Sequence, residues 1–203
     1  MCTTVYRRAI NDFFSSSNLE KFILIFFFIL PCPSYADGYG YTTYYSRLSV
    51  NDPDGKNTGT AFLPFNIFYA NEFAPHLRFC SELFFARTDL SGTETKVGQR
   101  ITQAGISTLL QQQFHLSRLF NPWLGAGPVF ARIRYTQRYT KDADGYLLQR
   151  FPDRREDAID FVFMGSQYWE LNRHWSWGLN IKWNIPFESN LSALGVGLSI
   201  LHR

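Results

Sequence analysis

The residues of this chain best suited to acid–base chemistry are four histidines, His76, His115, His174 and His202. Beside a serine and a carboxylate, an imidazole can run acyl transfer by the nucleophile-and-base route. Glu188-Ser189 places an acid next to a hydroxyl, but no histidine is near it in sequence. Asp142-Ala143-Asp144-Gly145 opens like a calcium loop and lacks the later ligand positions. No His and Asp/Glu cluster has metal-ligand spacing, so neither a metal nor another cofactor is expected. Of three cysteines, Cys2 and Cys32 lie in a leader, which leaves Cys80. One thiol makes no internal disulfide and no cysteine metal cluster. Cys80 is expected to be a small buried residue of a strand.

The elements that would have to position such groups are strands. Trp175, Trp177, Leu179, Ile181, Trp183 and Ile185 alternate with Ser176, Gly178, Asn180, Lys182 and Asn184. A period of two puts the first set on one face and the second on the other. A run of about eleven residues is what a tilted strand needs to cross a bilayer core. Tryptophan stands near both ends, where headgroups would be.

Residues 1–36 read as a secretory signal peptide. The apolar run Phe22–Leu30 follows Lys21, with Arg7 and Arg8 upstream, and Ser34-Tyr35-Ala36 is a small-x-small cleavage pattern. Nine apolar residues are too few for a membrane-spanning helix. Residues 37–203 then form one domain. The chain's net charge of +3 falls to +2 once the leader's three basic and two acidic residues are removed. No basic stripe is present, so no nucleic acid is expected as partner.

Eight strands are predicted along the mature chain, at about residues 38–49, 60–71, 76–88, 100–114, 123–135, 158–169 and 175–185, with a last one after Asn190. Leu63, Phe65, Ile67 and Tyr69 share a face of the second. In the third, Leu77, Phe79, Leu83 and Phe85 oppose Arg78, Cys80 and Glu82. In the fifth, Val129, Ala131, Ile133 and Tyr135 oppose Arg132 and Arg134. Tight turns after strands two, four and six alternate with longer polar loops after one, three and five. The expected fold is therefore all-β, an eight-stranded antiparallel up-and-down transmembrane β-barrel. A soluble lipophile-binding barrel is the rival, but the interior of eight strands would be overfilled by these Phe, Trp, Leu and Ile side chains. Turned outward, they leave a narrow polar lumen in which Arg78, Glu82, Arg132, Arg134, Asp160 and Lys182 must pair. Trp123, Trp169, Trp175, Trp177 and Trp183 are expected to face lipid as an aromatic girdle.

The Ser34-Tyr35-Ala36 leader end, the run Asn121-Pro122-Trp123-Leu124-Gly125-Ala126-Gly127-Pro128 and the final Leu194-Gly195-Val196-Gly197-Leu198-Ser199 resemble small outer-membrane β-barrels of Gram-negative bacteria. The OmpX-like proteins, the OmpA transmembrane domains and the solitary autotransporter-like barrels are the comparison. The resemblance implies an outer-membrane location among phospholipid and lipopolysaccharide, and insertion by the barrel assembly machinery, which reads the last strand. Such chains usually end on an aromatic residue, whereas this one ends Ile200-Leu201-His202-Arg203.

Some barrels of that type modify lipid A with histidine, serine and an acid. Here the predicted topology sends all four histidines to the periplasmic ends of strands, so no enzyme activity is expected. The long loop of about 137–157 carries charges of both signs around an apolar centre. Arg150, Arg154 and Arg155 are candidates for lipopolysaccharide phosphates, and Tyr146 and Phe151 for a protein partner. A structural or surface-interaction protein is the expected function; a narrow channel and a lipid A-modifying enzyme are the alternatives.

Overall fold

The computed structural model describes residues 36–203, so the leader lies outside the described residues. Nine strands follow one another: β1 (Ala36–Asp52), β2 (Gly55–Ala74), β3 (Leu77–Leu90), β4 (Gly98–Gln113), β5 (Trp123–Lys141), β6 (Leu147–Phe151), β7 (Arg154–Glu170), β8 (Trp175–Ile185) and β9 (Leu191–His202). Sequence neighbours pair antiparallel from β1 through β6 and again from β7 through β9. β5 pairs with β7, and β1 with β9, which closes eight strands into a barrel. β6 pairs with β5 alone and makes a hairpin that stands above the rim. Closure leaves no free edge in the wall, the condition for crossing lipid with strands.

The outward faces carry an apolar band. Phe62, Ile67, Leu83, Phe85, Phe161, Phe163, Leu179, Ile181, Val196 and Leu198 are all exposed. Large hydrophobics left outside at this density mark a lipid-facing surface. β8 alternates as expected, with Trp175, Trp177, Leu179, Ile181 and Trp183 outward and Asn180 wholly buried inside. β3 keeps Arg78, Cys80 and Glu82 inside.

Two strands of the wall differ from the expected pattern. In β2, Pro64 and Phe65 oppose Thr43 alone, because the register jumps from Thr42↔Asn66 to Tyr44↔Leu63. The bulge shifts the phase by one, so Leu63 packs inside while Phe65 and Ile67 stay outside. Proline cannot donate to a ladder and is tolerated at a bulge. Backbone groups freed there need partners in lipid. The Tyr41 hydroxyl donates to the Pro64 carbonyl, and the Asn66 side-chain amide donates to the Thr42 and Leu63 carbonyls, both at 3.0 Å.

In β5 the expected phase is reversed. Val129, Ala131, Ile133 and Tyr135 are buried inside, and Arg132 and Arg134 face outward. The reason lies at the hairpin end of the barrel. Leu48, Val50, Ala61, Leu90, Ile101, Ala131, Ile133, Tyr135 and Leu191 form an apolar cluster within the lumen. The strands run past the apolar band, and beyond it the outside is polar and the inside is dry, as in a soluble barrel. Gly127 brings β4 close: a Cβ there would lie 2.0 Å from the Thr108 carbonyl oxygen.

Connections also differ from expectation. Strand extension reduces the first loop to a turn between Asp52 and Gly55, and the connection after β4 spans residues 114–122. The 137–157 loop is largely hairpin. Gly145 (φ +87°) turns it, the Asp142 carboxylate accepts the Tyr146 amide at 2.7 Å, and Gln137 adopts φ +53° at its base. The Asp142–Gly145 string is thus a turn.

Candidate functional site

The lumen, the outer wall and the hairpin are the three places where polar chemistry gathers. Of the six charges assigned to the lumen, three are brought together inside. Lys182 on β8 binds Glu82 on β3, whose side chain is 2 % exposed. The Lys182 ammonium also lies 5.1 Å from the centre of the Phe84 ring and 5.4 Å from that of Tyr44. Arg78 donates from Nε to Gln111 at 2.7 Å and stacks its guanidinium 4.2 Å over Trp123 and 5.2 Å over Tyr168. A buried cation held this way is balanced by ring quadrupoles and an amide oxygen.

The other three charges are elsewhere. Asp160 points inward, but its carboxylate accepts the backbone amides of Phe187, Glu188 and Ser189 and the Ser189 hydroxyl, so it caps the β8–β9 connection. The Glu188-Ser189 pair is consumed in that cap, with Glu188 accepting the Ile159 amide. Arg132 and Arg134 stand on the outer wall. Arg132 pairs with Asp157 at 2.7 Å, Arg155 joins Asp157 at 3.1 Å, and Arg100 pairs with Asp89 at 2.7 Å. The hydrogen bond from Arg132, with Arg155 behind it, holds the Asp157 carboxyl below the usual carboxylate range, and Arg100 does the same for Asp89.

Trp123 is a second correction. It is buried in the lumen as the platform for Arg78, since it shares the inward phase of Val129 and Ala131. The remaining tryptophans hold the outer wall: Trp169 stacks on Trp177 at 4.5 Å near one rim, with Trp175 beside them, and Trp183 sits higher on β8.

A closure at the hairpin end was missed by sequence reasoning. Arg138 binds Asp52 at 2.8 Å and Asp54 at 2.7 Å, and donates to the Pro152 carbonyl and to Gln99. Arg154, placed in the surface loop by sequence, turns inward to Glu156 at 2.7 Å, and Asn190 and Tyr135 donate to the same carboxylate. Burial and the Glu156 charge push the Tyr135 phenol up. Arg154 and Glu156 are neighbours on one face of β7, but Arg138 and Asp54 lie 84 positions apart, and no local spacing announces that pairing. The hairpin leaves Tyr146, Leu147, Leu148 and Arg150 exposed, with Phe151 half-buried against Arg138.

The histidines gather at the other end. His76 meets His115 edge to face at 4.4 Å and bonds Gln113 at 3.2 Å, while His174 and Trp175 flank His202. Among the described residues no three His, Cys, Asp or Glu side chains form a metal-ligating group.

A closed eight-stranded barrel with an apolar outer band is the fold of small outer-membrane β-barrels, and its outward face is suited to lipid. Solved structures share this fold. Neisserial surface protein A (NspA) has 12 % identity and a TM-score of 0.54, covering 82 % of this chain and 96 % of its own. The outer membrane protein OprG of Pseudomonas aeruginosa has 12 % identity and a TM-score of 0.53, covering 83 % and 96 %. Ail, the attachment invasion locus protein of Yersinia pestis, has 9 % identity and a TM-score of 0.50, covering 82 % and 96 %. No family model and no curated protein matches the sequence.

Proposed function

We propose that the chain is a non-enzymatic, non-conducting barrel of the outer membrane that acts at the cell surface through the β5–β6 hairpin. The observation that carries this reading is the double closure of the lumen. An apolar cluster around Ile133 and Leu48 fills it, and the Arg138–Asp52–Asp54 group closes the rim above. Hydrated ions do not pass a packed apolar layer. The exposed Tyr146, Leu147 and Leu148 supply a contact for a protein partner, with Arg150 beside them.

The reading includes cleavage of the leader after Ala36, insertion by the barrel assembly machinery and the hairpin end facing the exterior. Planar-bilayer recording tests the central claim: the purified barrel is expected to stay at baseline, and steady single-channel steps would overturn it. Lipid A mass spectra with and without the gene are expected to coincide; a difference of one acyl chain would make the protein an enzyme.

A further inference from the structure

The outer wall of β3, β4, β5 and β7 carries a charge imbalance at one level. Register places Arg87, Thr102, Arg134 and Arg155 side by side in a single outward row. The row above holds Asp89, Arg100 and Thr136; the row below holds Phe85, Ala104, Arg132 and Asp157. Across these rows five arginines meet two carboxylates. Asp89 is committed to Arg100, and Asp157 to Arg132 and Arg155. Arg87 and Arg134 are exposed and make no ion-pair contact among the described residues, while the Arg87 charge acts at longer range on Asp89. The apolar band begins just beneath, at Phe85 and Leu83 on β3 and Phe161 on β7. The guanidinia therefore stand at headgroup level.

We propose that this row is a headgroup site for a phosphorylated saccharolipid of the outer leaflet, with Arg87 and Arg134 each taking a phosphate. Two strand spacings separate them, about 10 Å, with only the short Thr102 between. A sugar headgroup with two phosphates spans such a gap, and guanidinium forks suit phosphate oxygens. The apolar wall below receives the acyl chains. The proposal rests on the outer-membrane reading above, and it replaces the phosphate contact that sequence assigned to Arg154.

The test is native mass spectrometry of the mature barrel folded in detergent, titrated with diphosphoryl lipid A, dephosphorylated lipid A or phosphatidylglycerol. One diphosphoryl lipid A is expected to stay bound. R87Q/R134Q is expected to weaken retention about tenfold, and T102E, which sets an anion between the two cations, to do the same. R87K/R134K should fall between. Unboiled gel mobility reports that each variant is folded. Equal retention in wild type and in the variants overturns the proposal, and so does equal retention of all three lipids, which means general stickiness. A barrel that conducts yet holds lipid A leaves this site standing, whereas a silent barrel that holds none sinks it alone.

Discussion

At the residue scale, the lumen pair decides most. Glu82 is buried and its charge is balanced by Lys182. Replacing Lys182 by methionine strands a buried carboxylate, a change that costs about 3–5 kcal/mol. Urea unfolding in detergent is expected to show that loss, and a K182M/E82L double variant is expected to recover most of it. The outer wall behaves differently. Asp157 has a depressed pKa in the folded barrel, so its stabilising effect is present above the ordinary carboxylate value of about 3.9 and fades as pH falls through the lower folded value. Asp157→Asn is therefore expected to lower the melting temperature slightly at neutral pH and to match wild type near pH 2. A difference that grows on acidification would contradict the sign. These roles were only partly legible. Arg78, Glu82 and Lys182 could be placed inside by alternation, but Trp123 could not, because a tryptophan at a strand end suits a girdle and a lumen equally.

At the element scale, β2 and the hairpin show what periodicity can and cannot carry. Pro64 supplies the extra residue of the bulge; with Pro64 kept but paired regularly, every residue after Leu63 would swap faces. Deleting Pro64 removes the extra residue and leaves Leu63 and Asn66 inside and Phe65 and Ile67 outside, so the chain is expected to keep the mobility shift of a folded barrel. A deletion that abolishes the shift would show that the bulge is needed for more than the phase. The hairpin is the opposite case. It pairs only within itself, β5 with β6, above the closed wall. Shortening it to remove residues 142–149 is expected to leave the thermal stability of the barrel within about 0.5 kcal/mol, as for a surface change. The same variant should lose whatever surface contact the intact protein makes, read by binding to whole cells. The tip was readable as polar and charged with an apolar centre. That it is ordered as strands follows from Gly145 and Asp142 acting together, which single-residue turn preferences only suggest.

For the whole molecule, the decisive property is that the barrel is two barrels stacked end on end. Through the apolar band it is greasy outside and mixed inside, where Arg78, Glu82, Asn180 and Lys182 stand among small apolar clusters around Val162 and Phe68; beyond the band it is charged outside and mainly greasy inside. Ile133→Ala, in the upper core, is expected to destabilise by about 2–5 kcal/mol despite lying outside the bilayer. Arg138→Ala opens the rim but leaves the cluster below intact, so the variant is expected to remain silent in planar-bilayer recording. Conductance in that variant would place the seal at the rim alone.

The number of wall strands, their closure and the outward face of most of them were set by the amino-acid order itself, because a period of two is local and each strand carries its own copy of it. Glycine-alternating β9 and tryptophan-edged β8 needed no neighbour to be understood. The level at which the membrane stops was decided only in three dimensions. The same alternation Val129, Ala131, Ile133, Tyr135 can face lipid or a dry core, and nothing within β5 distinguishes the two. Its inward direction follows from Leu48, Ile101 and Leu191, which arrive from distant parts of the chain and need a partner at the same height. Polarity outside a strand is a property of where the strand lies in the bilayer, and that is fixed by the assembled wall.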